Sequence, residues 1–388
     1  MKSLSDINFQ NIKTVGIRVD FNVPIDQNFQ ITDDTRLLRA LETIDFVKNK
    51  NCKILLISHF GRPKEKFNKD FSFQNLINEF SNAISMKLNL ITYENFLENG
   101  ISNFRQYDEC IYLLENVRFF YGEKNNDKNF SKKITDHLDL YINEAFSASH
   151  RKHASVNQMS KNINSVPGFN FVRELYAINE IKKSSKKKLA IIGGAKVSTK
   201  IDTILSLTKT CSNIFIGGAM ANNFLKFWDI PVSSSLLEDG SEKMIKEIYS
   251  LSKETGCEIH LPLDFVLDSE KPVKVDQLSK FDNFKILDLS EDSINLLNTL
   301  ISRSEIILWN GPMGMIEEPI FAKGSIKLAN MLAEIKNDVI IGGGDTLLAI
   351  KLANVSFEKY RFVSTAGGAF LKALEEGELL GIQALNQD

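Results

Sequence analysis

Residues 189–201 read LAIIGGAKVSTKI, and this stretch decides how the rest of the chain is understood. Residues 189–192 are apolar without alternation. The run is too short for a helix and too uniformly apolar for a strand with one wet face. It suits a parallel strand covered on both sides by helices. The pair Gly193-Gly194 then supplies a tight turn, and the residues after it have helical spacing. On that reading Lys196 and Lys200, spaced i and i+4, place both ammonium groups on one helix face beside the glycine turn.

The same pattern recurs in both directions. Short apolar, β-branched runs occur at 15–20, 53–58, 111–114 and 138–142, and again at 214–216, 258–261, 306–309, 339–341 and 362–364. The stretches between them suit crossover helices. Over 34–48, for example, Leu37, Leu38, Leu41, Ile44 and Val47 share one face. The architecture implied is α/β with parallel sheets, built twice. A chain of 388 residues agrees, being long for one core. Val166-Pro167-Gly168 breaks the periodicity and a helix-like stretch follows over 169–181, so the predicted domains are 1–168 and 169–379. The halves also differ in chemistry. Four of the 21 glycines but four of the five histidines precede residue 166.

Composition excludes several classes. A net charge of −2 leaves no basic excess with which to displace nucleic-acid counterions. The five lysines at 182–188 read as a solvated helix end. No apolar run approaches the ~18 residues of a membrane span, and the first residues lack the apolar region of a signal peptide. Cys52, Cys110, Cys211 and Cys257 are scattered, as expected of reduced thiols in a cytoplasmic protein.

Ligands of open parallel sheets bind beyond the carboxyl ends of the strands. In the first half those ends carry Asp20-Phe21-Asn22, His59-Phe60-Gly61-Arg62, Arg118, and His150-Arg151-Lys152-His153, and Arg36 starts a helix. If the loops converge, Arg36, Arg62, Arg118 and Arg151 form a cup with His59. Guanidinium forks match phosphate and carboxylate, so the cup would hold a small, doubly anionic molecule. In the second half the ends carry glycines: Gly193-Gly194, Gly217-Gly218, Gly311 with Gly314, Gly342-Gly343-Gly344 and Gly367-Gly368. Glycine turns let backbone N–H groups approach phosphate, helped by a helix N-terminus. Asp345 is placed to hold Mg²⁺ together with phosphate oxygens. Neither G-x-x-x-x-G-K-[ST] nor G-x-G-x-x-G occurs, which disfavours a Walker-type loop and a dinucleotide dehydrogenase. The residues therefore suggest phosphoryl transfer by positioning and electrostatics, with the substrate left open.

At these positions the chain resembles the phosphoglycerate kinase family. The matching segments include RVDFNVP (18–24), DDTR (33–36), ISHFGRPK (57–64), LLENVRF (113–119), YINEAFSASHRKHAS (141–155), IIGGAKVSTKI (191–201), LWNGPMGMIE (308–317), IGGGDT (341–346) and STAGGAFL (364–371). The resemblance implies two Rossmann-like three-layer α/β/α lobes with parallel sheets, joined by a hinge helix, with 380–388 returning to the first lobe. It implies that Asp20, Phe21, Asn22, Arg36, His59, Phe60, Gly61, Arg62, Arg118 and Arg151 hold 3-phosphoglycerate or 1,3-bisphosphoglycerate. Lys196 would follow the transferring phosphoryl group and Lys200 contact nucleotide phosphate. Gly343, Gly344 and Thr346 would line the phosphates of ATP or ADP, Asp345 would position Mg²⁺, and Glu317 would take the ribose. Arg36, Lys196, Gly344 and Gly367 are the implied catalytic set. A cytoplasmic monomer that binds neither nucleic acid nor membrane is implied as well.

Where this chain has Glu144, Ala366 and Leu380, the family's usual residues are Asp, Gly and Pro, and 287–291 replaces a common LDIGP segment. Two competing readings are another ATP-dependent kinase on the same scaffold, separable by acceptor specificity, and a nucleotide-responsive protein without turnover. The second would expect erosion of Arg36, Lys196 or Asp345, all of which are present.

Overall fold

Strands buried on both faces organise each half of the chain. The computed structural model describes residues 2–106, 109–375 and 378–386. These divide into two compact units, one holding the described residues up to Tyr176 and from Glu378 on, the other those from Ala177 to Glu375. The division falls inside a helix, Phe169–Lys183, eight residues beyond the boundary read from the sequence. Among the described residues no helix is long and apolar enough to cross a membrane.

The first unit contains β1 (Thr14–Arg18), β2 (Lys53–Ile57), β3 (Asn89–Ile91), β4 (Ile111–Leu114), β5 (Leu140–Asn143) and β6 (Ser165–Pro167) in the order β3-β4-β2-β1-β5-β6. Every pairing is parallel. The reason for uninterrupted apolar strands is visible in β2. Ile54 and Leu56 join one core, with Leu37, Ile44 and Val47 of the helix Thr35–Lys48, while Leu55 and Ile57 join a second core on the opposite face. Leu38 does not belong to the buried stripe of that helix and is 44% exposed.

The second unit contains β7 (Lys188–Ile192), β8 (Asn213–Ile216), β9 (Glu258–His260), β10 (Asp264–Leu267), β11 (Pro272–Lys274), β12 (Ile286–Leu289), β13 (Ile306–Asn310), β14 (Asp338–Gly342) and β15 (Phe362–Val363). Six of them form a parallel sheet, β15-β14-β13-β7-β8-β9. In both six-stranded sheets the strand order reverses beside the unit's first strand, between β1 and β5 and between β13 and β7. Such reversal points are where open sheets bind ligands.

The antiparallel sheet β11-β10-β12 was not expected from the sequence. Its short strands pack Phe265, Val273 and Leu289 into the same core as Trp309. The edge strands β3 and β6 were also missed. Each has three residues, and β6 includes Val166-Pro167, read as a break. Proline is tolerated there because an edge strand has an unpaired side.

The departures from the family pattern fit locally. Leu380 opens the helix Leu380–Leu385, at a position where proline and leucine both serve. That helix is held to the first unit by the N–H of Gly381 on the Ser149 carbonyl at 2.9 Å. Gln387 and Asp388, also expected to return there, lie outside the described residues. Ala366 does not have the left-handed backbone that would demand glycine.

Glu144 follows β5 and is buried. Its Oε1 accepts the N–H of Asn170 at 3.0 Å, at the start of the helix Phe169–Lys183. A Cβ on Gly168 would lie 1.7 Å from Glu144 Oε2, so only glycine lets the carboxyl reach this place. Burial raises the carboxyl to about 8, outweighing the hydrogen bond from Asn170. An exposed glutamate titrates near ~4.3. Between those values the folded chain binds the extra proton, so the group's stabilisation is complete at low pH and is lost as pH rises through about 8. Glu144→Gln should therefore gain on the wild type in melting midpoint between about pH 6 and about pH 9. A difference between the two proteins that does not change with pH would contradict this.

Candidate active site

The first unit gathers its basic side chains at the carboxyl ends of β1, β2, β4 and β5. Arg118 is buried, and burial together with the charges of Arg151 and Arg18 pushes its guanidinium down to about 10. Arg151 is lowered by burial, then by Arg62 and Arg18. Four guanidinium groups thus lie close enough to repel one another. Asp20 reaches the same place, facing Arg151 and lying 3.4 Å from Arg36. Arg36 also donates to the Asn22 carbonyl at 2.9 Å, and Asp20 accepts from the Ser147 hydroxyl at 2.6 Å. Asn22 Oδ1 accepts the Gly61 N–H at 2.8 Å, which ties the first strand-end loop to the second. The predicted cup is therefore assembled within one unit.

His59 has a determined protonation pattern. Its Nδ1 lies 3.0 Å from an Arg18 nitrogen. Arginine can only donate, so Nδ1 accepts and Nε2 carries the hydrogen. Burial and then the charge of Arg18 hold the imidazole well below its usual range. At neutral pH His59 is a neutral donor through Nε2.

Two predicted residues send their rings into the core. Phe21 is fully buried against Phe80, and Phe60 packs against Phe71 and Phe73. Gly61 has a φ of +57°, and a Cβ there would enter the Phe71 ring. Its carbonyl accepts from Arg118.

Sequence reasoning missed Arg18 as a site residue because it lies within an apolar strand. It is 1% exposed and donates to the Ser155 hydroxyl at 2.8 Å and to the Val19 carbonyl. The Ser155 hydroxyl donates in turn to the fully buried Glu123 at 2.6 Å, whose negative charge faces Arg18. His153 sits 3.7 Å from Glu123, and burial followed by Arg118 and Arg18 pushes it down to about 3. A charged residue closing an otherwise apolar central strand and followed by another apolar residue was the available signal.

In the second unit the glycines separate into two groups. A Cβ on Gly193 would lie 2.1 Å from the Pro312 carbonyl, and one on Gly311 2.4 Å from the Gly193 carbonyl. Those glycines allow the loops after β7 and β13 to pack backbone to backbone. Gly344, Gly367 and Gly368 are different, because a Cβ on any of them would meet nothing within 4 Å. Packing does not require glycine at these three positions, although the left-handed φ of +56° favours it at Gly367; they leave the backbone open on that side. Gly344 starts the helix Gly344–Leu352, with Asp345 exposed in its first turn.

Lys196 and Lys200 do not share a helix face. The helix begins after them, at Ile201, and 196–200 is a turn. Lys196 is exposed. Lys200 folds inward, its ammonium donating to Asn310 Oδ1, and burial lowers it to about 8. The glycine turn at 193–194 needs room before a helix can start, which the i, i+4 count ignored. Thr346 is also corrected. Its hydroxyl accepts the Gly311 N–H at 2.7 Å and donates to the Gly342 carbonyl at 2.8 Å, and the residue is fully buried, so the hydroxyl is engaged within the protein. Beside these loops lies a cavity of about 450 Å³. Its apolar wall includes Leu236, Phe265, Met313 and Met315, with Glu317 and Asp345 among its polar lining. Among the described residues no three His, Cys, Asp or Glu side chains converge as a metal cage. A single exposed carboxylate, Asp345, fits Mg²⁺ that arrives largely coordinated by phosphate oxygens.

Comparison with known proteins agrees with the residues. The profile of the family described as phosphoglycerate kinase matches residues 4–377. The phosphoglycerate kinase of Wolbachia sp. subsp. Drosophila simulans (strain wRi) is 37% identical over 386 residues, covering 97% of this chain and 96% of its own. That of Prochlorococcus marinus (strain MIT 9312) is 38% identical over 406 residues, covering 99% and 98%. The structure of phosphoglycerate kinase from Coxiella burnetii superposes with a TM-score of 0.87 at 31% identity, covering 100% of this chain and 99% of that one.

An array of mutually repelling cations should be stabilised by a bound dianion. Sulfate should raise the melting midpoint by about a few degrees over sodium chloride of equal ionic strength. Arg62→Ala combined with Arg151→Ala should lose at least about half of that rise. An undiminished rise in the double variant would place the anion elsewhere.

Proposed function

The chain belongs to the phosphoglycerate kinase family, phosphotransferases with a carboxyl group as acceptor, and we propose that it moves a phosphoryl group reversibly between 1,3-bisphosphoglycerate and ADP. The products are 3-phosphoglycerate and ATP, and the reaction serves glycolysis and gluconeogenesis in the cytoplasm. The observation that carries this reading is the crowding of Arg18, Arg118 and Arg151 around His59, with Arg62 beside the last two, in one unit. Such an array matches a small molecule with a phosphate at one end and a carboxyl group at the other. Every group named lies on one chain, so a monomer suffices.

The transfer is direct and in line, without a phosphoenzyme. The acceptor carboxylate of 3-phosphoglycerate is already ionised, so no general base is needed. That agrees with His59 acting as a neutral donor. Asp20, Asn22, Arg62, Arg118 and Arg151 orient the substrate, with the backbones of Phe21, Phe60 and Gly61 shaping the floor. The cavity in the second unit takes the nucleotide base, and Glu317 takes the ribose. Lys200 and the N–H groups of 343–346 hold the phosphates. Arg36, Lys196 and the open amides at Gly344 and Gly367 offset the charge that spreads over the transferring oxygens. Asp345 would hold Mg²⁺, which neutralises phosphate charge when bound. Closure of the two units excludes water, so that ATP is not hydrolysed.

The test is ATP formation from 1,3-bisphosphoglycerate and ADP by the purified protein in a coupled assay. Arg36→Ala should lower kcat ~10²-fold or more, because its charge is required mainly in the transition state. Near-normal turnover of that variant would remove Arg36 from the catalytic set, and absence of turnover by the wild type would overturn the reading.

A further inference from the structure

The geometry points to Glu238 as a positioning residue for the turn that carries Lys196, acting through the backbone. This rests on Lys196 being the lysine that follows the phosphoryl group in the proposed function. The exposed Lys196 side chain is long and flexible, so its placement depends on the backbone beneath it. One carboxylate fixes that backbone from outside. Glu238 Oε2 accepts the Ser198 N–H at 3.0 Å, and Oε1 accepts the Ser198 hydroxyl. The Val197 N–H also bonds to the carboxylate, and together these hydrogen bonds hold it below the usual range despite some desolvation. Hydrogen bonds to a charged acceptor are about twice as strong as neutral ones. They engage the two residues that follow Lys196 directly. The turn is tightened further by the Thr199 hydroxyl on the Lys196 carbonyl at 2.9 Å and the Lys200 N–H on the Val197 carbonyl at 2.9 Å.

Glu238 is itself anchored. Its N–H donates to Oδ1 of the buried Asn223 at 2.8 Å, and the same oxygen accepts the Ser241 hydroxyl at 3.2 Å. The neighbouring Asn222 donates to the Leu236 carbonyl at 3.1 Å. Two adjacent asparagines on the helix Met220–Phe227 thus seat the loop, and the loop presents one carboxylate to the lysine turn. The Glu238 side chain is half-buried, and the hydrogen bonds its carboxylate accepts come from Val197, whose own side chain is buried in the core, and from Ser198. The carboxylate also faces the charge of Lys196, and the loop neighbour Leu236 lines the cavity. The arrangement fixes the backbone that carries Lys196, which matters when about 1 Å of displacement costs up to ~10²-fold in rate.

The test is a double-mutant cycle on the full chain between Glu238→Ala and Lys196→Met, read as kcat and KM for both substrates. Glu238→Ala alone should lower kcat about 10-fold and change either KM by less than about 2-fold. The Lys196→Met chain should lose ~10²-fold or more in kcat, and adding Glu238→Ala to it should cost less than about 2-fold further. Glu238→Gln, which keeps one acceptor oxygen, should fall between alanine and wild type. Should Glu238→Ala cost the same factor with and without Lys196, or cost nothing in the wild type, the positioning role is wrong. If instead Lys196→Met turns over normally, the assignment of Lys196 fails, which is a separate outcome. Should Glu238→Ala not fold, Glu238→Gln takes its place in the cycle, and an additive result there overturns the inference equally.

Discussion

Positive charges held closer than water would leave them set the terms for the first unit. Arg18, Arg62, Arg118 and Arg151 repel one another, and two of them are nearly or fully out of solvent. The fold keeps them there by giving each a fixed attachment. Arg18 is clamped by Ser155, Val19 and the facing charge of Glu123, and Arg118 by the Gly61 carbonyl. Asp20 and Glu123 offset only part of that repulsion, and a bound small dianion would offset more of it. His59 then follows as a consequence. Next to Arg18 it cannot carry a proton on Nδ1, so it can only donate through Nε2.

The second unit handles negative charge by a different means. In the proposed function it does so with backbone amides, a helix start and one inward lysine, a cradle that would need few side chains. Some of its glycines serve the protein itself by letting the loops after β7 and β13 touch. Others, at Gly344, Gly367 and Gly368, face open space. Glycines a few residues apart in this unit therefore differ in kind, some needed for close backbone packing and others, at Gly344 and Gly368, facing open space.

Much of this was legible in the sequence because strands buried on both faces are continuously apolar and their ends are marked by unusual residues. All ten runs read as strands correspond to strands, and the arginine cup lies where the strand-end loops placed it. What was missed has physical causes. The sheet of β10, β11 and β12 has strands of three or four residues in which neither burial period is established. Arg18 was hidden by its apolar neighbours. Phe21 and Phe60 lie in the strand-end loops as read but send their rings into the core. The helix expected across Lys196 and Lys200 was displaced by the turn before Ile201, and that displacement left Lys196 on a surface loop needing outside support.

The account stands on the claim that the first unit alone builds the site for the three-carbon acid, independent of the groups that handle nucleotide. Calorimetric titration of 3-phosphoglycerate into wild type, Arg151→Ala and Lys196→Met measures this most directly. The account predicts one site per chain, weakened ~30-fold or more in Arg151→Ala and changed by less than about 3-fold in Lys196→Met. Unaltered affinity in Arg151→Ala, or a loss in Lys196→Met as large as that expected of the arginine variant, would contradict it.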